Sequence, residues 1–268
     1  MEGLPGDPAA RGRHRWPAGP GATLSGGTAA PGRPAGSSEP KAAANEASSG
    51  SARPATGGSV PARTGPGHGN RTGSGSGSAD ALRLVLWRHG QTTYNAEHRF
   101  QGQRDVPLNA LGRAQAQRAA KHLARLEPAA IWSSDLVRAT ATATYLARLV
   151  GLEVNHDKDL RERYGGEWEG LTIDEIRQNY PEDHAAWEPP GGEPVKVVAD
   201  RTAAAFERIA ERVAPGSLVV VVGHGASLTW GMSRILGLDD RVTGGLGNCC
   251  WSLLSRRGSR WRLLEYNV

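Results

Sequence analysis

From residue 81 onward the chain alternates short apolar runs with longer stretches in which apolar residues recur every three or four positions. Residues 82–87 (LRLVLW) have no helical period and read as a buried strand. Residues 109–126 set Leu111, Ala114, Ala119, Leu123 and Leu126 among polar neighbours, the pattern of an amphipathic helix. Residues 130–133 form a second short apolar run. Residues 135–150 read as a helix closed by Gly151, where a left-handed cap is needed. Residues 153–157 are a weaker strand. Thr172 to Glu175 is a capping-box pattern opening a short helix that stops before Pro181. A long amphipathic helix covers residues 197–213, punctuated by Pro215-Gly216. Residues 218–222 (LVVVV) are apolar on both faces, as in the centre of a parallel sheet covered by helices. A helix over 226–236 and strands over 249–254 and 261–266 complete the pattern.

Strand–helix alternation predicts a three-layer α/β domain, in which ligands sit at the carboxyl ends of the strands. Two places answer that description: Arg88-His89-Gly90 and Gly223-His224-Gly225. Each is a His-Gly pair just past a buried strand.

Residues 1–80 have a different texture. They are rich in Gly, Pro, Ala, Ser, Thr and Arg with a single aromatic residue, Trp16. Such a stretch cannot bury enough apolar surface to offset roughly 1–2 kcal/mol of backbone entropy per residue, so it reads as a disordered tail ahead of a folded domain over 81–268. The whole chain is +5, but eight Lys/Arg against five acids place +3 in the tail and leave +2 for the rest. The basic pI therefore gives no reason to expect nucleic acid on the folded part. A tail that recruits nucleic acid is the one reading in which the domain would be secondary. No run of about 18 apolar residues exists, so no membrane span is expected. Cys249 and Cys250 are adjacent, cannot easily meet disulfide geometry, and are too few for a zinc site, which suits reduced thiols in a cytoplasmic protein.

Histidines at two strand ends suggest phosphorus chemistry. A neutral imidazole attacks phosphorus well and splits a hard displacement into two steps. Its other nitrogen must donate to a fixed acceptor, and Gly90 lets the backbone come close enough to provide one. Positive donors must meet the phosphoryl oxygens. Arg88 is adjacent to the candidate nucleophile, and Arg138 lies near a helix N-terminus, itself favourable to anions. A proton donor for the leaving oxygen is also needed. Glu162, Glu167 and Glu169 are all candidates, and sequence physics leaves the choice open.

The motifs then converge. LWRHGQTTYN (86–95), RFQGQRD (99–105), LNALGRAQ (108–115), SSDLVRAT (133–140), LRE (160–162) with GEWEG (166–170), and VGHG (222–225) occur in order and resemble the histidine phosphatase superfamily, in its phosphoglycerate-mutase-like branch. The resemblance implies a phosphoglycerate-mutase-like α/β/α sandwich with a mostly parallel sheet. It implies His89 as the phosphorylated nucleophile, a phosphate pocket of Arg88, Arg138 and His224, and further donors at its mouth from Asn95 and Gln101. Glu162 matches the acid, which demotes Glu167 and Glu169 to loop residues. No metal or other cofactor is implied, and a homodimer is a common family habit.

The sister acid phosphatases carry an aspartate where Gly225 stands. The mutases carry Glu-Ser where Gln91-Thr92 stands, so the resemblance favours hydrolysis of a small phosphorylated metabolite. GGLGN (244–248) before a strand with Trp251 is similar to the glucosyl-3-phosphoglycerate phosphatases of actinobacteria. A phosphoglycerate mutase, a broad-specificity sugar or acid phosphatase, and a non-catalytic phospholigand-binding module are the alternatives. Trp132, Trp168, Trp187 and Trp251 are expected mainly in packing, with 187–192 (WEPPGG) near the pocket mouth. His156, Asp183 and His184 are expected on the surface.

Overall fold

Leu218 and Val219 to Val222 are almost wholly removed from water, worth about 1.5–3 kcal/mol for each such side chain. They belong to the strand Leu218–Gly223, which lies between two parallel neighbours near the middle of a six-stranded sheet. The computed structural model describes residues 81–239 and 242–268. The tail expected over 1–80 lies outside the described residues.

The order is β1 (Leu82–Arg88), α1 (Thr93–Ala96), α2 (Ala110–Ala124), β2 (Ala130–Ser133), α3 (Val137–Val150), β3 (Val154–His156), α4 (Ile173–Asn179), α5 (Pro181–Ala186), α6 (Val195–Glu211), β4 (Leu218–Gly223), α7 (Gly225–Leu236), β5 (Trp251–Arg257) and β6 (Arg260–Glu265). Single 3-10 turns occur at Lys158–Leu160 and Gly166–Trp168. Strands run in the order β3-β2-β4-β1-β5-β6, parallel from β3 to β1 and antiparallel across β5 and β6.

Alternation along the strands divides the core in two. Leu84, Leu86, Val219 and Val221 face Phe206 and Ile209 of α6 and Leu228 and Met232 of α7. Val85, Trp87, Val220 and Val222 face Ala116, Ala120 and Leu123 of α2 and Ala143 and Leu146 of α3. The expected three layers are present.

Element ends follow local chemistry. Gly151 closes α3 at φ 70°, and Thr172 and Glu175 form the reciprocal capping box of α4. Four expectations shift. α2 does not bury Leu111, Ala114 or Leu126; its inward face is Gly112, Ala116, Ala119, Ala120 and Leu123, small residues that bring the helix close to the sheet. Asn109, whose side chain accepts from the Gly112 amide at 2.8 Å, caps it one residue earlier than the helix starts. β5 begins at Trp251 rather than Cys249, because Cys249 takes a left-handed φ of 60° that no strand tolerates. The turns α1 and α5 carry no buried apolar residue, which is why no periodicity marked them.

Candidate active site

His89 is the first residue beyond β1 and His224 the first beyond β4, and these strands are neighbours with Arg88 paired to Gly223. The sheet thereby sets the two imidazoles at one level, with ring centroids 5.1 Å apart and planes at 60°. His89 is 2% exposed and His224 fully buried.

Gly90 matters for a close approach. A Cβ there would stand 2.3 Å from the Gly112 carbonyl oxygen, so only glycine lets α2 press against the loop after β1. The Gly90 carbonyl oxygen lies 2.7 Å from His89 Nδ1. With Nδ1–H donating there, Nε2 keeps its lone pair, and it faces Arg138 Nε at 3.3 Å. Burial, then the charges of Arg138 and Arg88, push the His89 pKa well below its ordinary 6.5. His224 is depressed in the same way, by burial first and Arg138 next. Both rings are neutral near pH 7.

Arg138 is the second residue of α3 and is wholly buried. Its Nη1 and Nη2 donate to the carbonyls of Arg104 and Gly102, each at 2.8 Å, which aims the guanidinium at His89. Burial lowers its pKa to about 10, which leaves it charged at neutral pH. Arg88 Nη1 donates to the Leu246 carbonyl. Gly225 leaves room for this group, since a Cβ would come within 3.3 Å of the guanidinium. His224 Nε2 meets Ser134 Oγ at 2.9 Å. Arg88 Nε and His224 Nδ1 are buried with no hydrogen-bond partner among the described residues. Unpaired polar atoms are costly in an interior, so two at one spot mark a place built for an added polar group.

The three glutamates separate by position. Glu162 lines the cavity, with its carboxylate accepting from the amides of Arg163 (2.8 Å), Ser227 (3.0 Å) and Ala226 (3.1 Å). Glu169 turns away to accept from Gln103 N at 2.7 Å and Gly165 N at 3.0 Å. Glu167 accepts from the Tyr180 hydroxyl at 3.0 Å. Asn95 and Gln101 both line the cavity with their side-chain oxygens occupied: Thr92 N and Asn248 Nδ2 donate to Asn95 Oδ1, and Thr92 Oγ1 to Gln101 Oε1. Each therefore has its amide NH₂ left as the available group.

All seven expected site residues except His224 line one cavity of about 420 Å³, and His224 stands against it through its ring contact with His89. Sequence reading missed Asn248, whose Nδ2 lies 3.2 Å from both the His89 carbonyl and Asn95 Oδ1. It also missed Arg163 and Trp230 in the cavity wall. Trp187 does line the mouth, in a left-handed conformation at φ 57°, while Trp168 is buried against it and Phe100. His184 is not a bare surface residue, since its ring lies 5.9 Å from that of Trp187. His156 is exposed and meets Thr140 Oγ1 at 3.2 Å. Among the described residues no His, Cys, Asp or Glu side chains cluster in threes to hold a metal ion. No helix among them is long and apolar enough to cross a membrane.

A buried neutral imidazole whose Nε2 keeps its lone pair, two guanidinium groups and a carboxyl group around one cavity form a phosphoryl-transfer constellation, and comparison with known proteins agrees. The sequence model of the histidine phosphatase superfamily (branch 1) matches residues 84–268. The glucosyl-3-phosphoglycerate phosphatase of Mycobacterium tuberculosis is 40% identical over 70% of this chain and 95% of its own length. A metal-independent phosphoserine phosphatase of Arabidopsis thaliana is 36% identical over 68% of this chain and 80% of its own. A mycobacterial glucosyl-3-phosphoglycerate phosphatase solved with VO3 superposes with a TM-score of 0.64 at 39% identity, covering 69% of this chain and 98% of that one. The chain belongs to branch 1 of the histidine phosphatase superfamily and is a phosphoric monoester hydrolase.

Proposed function

We propose that the protein hydrolyses the phosphate monoester of glucosyl-3-phosphoglycerate through a phosphohistidine at His89. The observation that carries the reading is the His89 ring, buried, neutral and fixed through Nδ1, with Nε2 turned to the Arg138 guanidinium. Arg88, Arg138 and His224 surround the phosphoryl oxygens, with the amide groups of Asn95 and Gln101 at the edge. Nε2 attacks phosphorus as the bond to the leaving oxygen breaks, and Glu162 gives that oxygen its proton. Water then enters, Glu162 takes its proton, and the hydroxide displaces His89, releasing inorganic phosphate. The substrate assignment draws on the 40% identity to the mycobacterial enzyme. A cytoplasmic setting and a homodimer belong to the same reading, the latter open to sedimentation analysis.

The test is phosphate release from glucosyl-3-phosphoglycerate, 3-phosphoglycerate and p-nitrophenyl phosphate, with trapping of an acid-labile, base-stable phosphoprotein. His89→Ala is expected to abolish both release and trapping, a loss of at least about 10³-fold. Glu162→Gln is expected to slow turnover by about 10²–10⁴-fold with little change in substrate binding. Near-normal activity in either variant refutes the scheme. Conversion of 3-phosphoglycerate to its 2-isomer without net phosphate release would mark a mutase instead.

A further inference from the structure

The cavity has two unlike walls. One holds Arg88, His89 and Arg138, brought there by β1 and α3. On the other, Glu162 is bound to the first turn of α7 through Ala226 and Ser227, and the next turn of that helix carries Trp230. The Arg163 guanidinium lies over the Trp230 ring, 5.6 Å from its centroid. Arg163 is 2% exposed. Its Nε and Nη1 donate to the carbonyls of Glu193 (2.6 Å) and Trp187 (2.9 Å), and it makes no ion pair among the described residues.

Charge and direction single this residue out. The cavity is lined by Arg88, Arg99, Arg138 and Arg163 against one carboxylate, Glu162. Arg99 already has Glu97 at 2.7 Å and Glu175 at 3.4 Å. A phosphoryl dianion answers Arg88 and Arg138. Arg163 is left as a buried cation hydrogen-bonded to carbonyls and to no carboxylate among the described residues; the charges of Glu162, Glu188 and Glu193 act on it without a direct bond, an arrangement that an anion in contact would improve. In an in-line displacement by His89 the leaving oxygen departs on the far side of phosphorus, toward the acid. Whatever that oxygen carries then lies beside the residue that follows Glu162.

We propose that Arg163, stacked on Trp230, binds a carboxylate on the leaving group, so that the enzyme selects phosphomonoesters whose carbon chain carries an acid group. This rests on the phosphatase reading above and adds to it the part of the substrate that is recognised and the residue that recognises it.

The matched pair 3-phosphoglycerate and glycerol 3-phosphate, which differ in carboxylate against hydroxymethyl, tests it. The unaltered protein should show the higher kcat/KM for the carboxylated ester. R163Q should lower the ratio of the two values by roughly ten- to a hundredfold, the worth of a charge-assisted hydrogen bond. R163K, which keeps the charge and loses the planar fork, should fall between. A general structural lesion would lower both values and leave the ratio alone, and an unmoved ratio in R163K or R163Q overturns the proposal. If R163Q does not fold, inhibition of the unaltered enzyme decides: glycerate should compete in the presence of inorganic phosphate and glycerol should not, and equal effects overturn it. Absence of phosphate release from every ester, p-nitrophenyl phosphate included, counts against the phosphatase reading alone. Quenching of tryptophan fluorescence in the unaltered protein then still decides the subsite: tighter binding of 3-phosphoglycerate than of glycerol 3-phosphate, by about tenfold, supports it, and equal binding overturns it.

Discussion

A histidine serves as a phosphorus nucleophile only while its ring is neutral, and here the surroundings enforce that. Burial acts first on both His89 and His224, and the Arg138 charge adds to it. The same depression reaches folding. As pH falls below about 6.5 an unfolded chain takes up protons at these two positions, whereas the folded chain does not. Stability is therefore full above that pH and declines below it, by up to about 1.4 kcal/mol per pH unit for each ring. Urea unfolding free energies from about pH 7.5 to pH 5 check this, and His224→Asn should flatten part of the slope. Initial rates should show no loss at pH 6.5, where a free imidazole would titrate, because the His89 pKa lies well below that.

At the scale of elements, α6 steadies the segment that carries the acid. Arg201 donates to the carbonyls of Asp159 and Arg161, each at 2.7 Å, and of Glu162 at 3.0 Å, and pairs with Glu193 at 2.9 Å. Arg201→Met should loosen Glu162, and the cost should depend on the leaving group. Alkyl phosphates, whose oxygen needs a proton, should lose more kcat/KM than p-nitrophenyl phosphate, which leaves without one. Equal losses would show a merely structural tie.

Such ties explain what sequence reading reached and what it did not. The strands β1 and β4 and the residues just past them were legible because a fully apolar run followed by His-Gly is a local signal. Glu162 was not separable from Glu167 and Glu169 by local pattern, since what divides them is which backbone amides the fold offers each. The pocket role of Asn248, quoted only as the end of a motif, and the place of Trp230 were hidden for the same reason. Their partners lie 153 residues away for Asn248 and 67 for Trp230, across the sheet and along the acid segment. The inward face of α2 was read correctly at Ala119 and Leu123 and wrongly elsewhere: Leu111, Ala114 and Leu126 were chosen over Gly112, Ala116 and Ala120, the small residues that the close approach to the sheet selects.

At the scale of the molecule, the superfamily match begins at residue 84, and a relative aligned over 95% of its own length covers only 70% of this chain. A chain starting at residue 81 is therefore expected to keep full turnover and an unchanged melting temperature. Any salt-dependent retention on nucleic acid should vanish with the first 80 residues. Loss of turnover in the shortened chain would assign those residues a catalytic part. Within the domain, His89 and His224 each stand one residue past the last pair of the β1–β4 ladder, at the same level on neighbouring strands, and such strands stand about 4.8 Å apart by hydrogen-bond geometry alone. The gap of 5.1 Å between the rings is therefore set largely by the spacing of the two strands that lead into them. Mutation of the opposite wall can retune which ester is accepted, while the reaction performed on it stays the same.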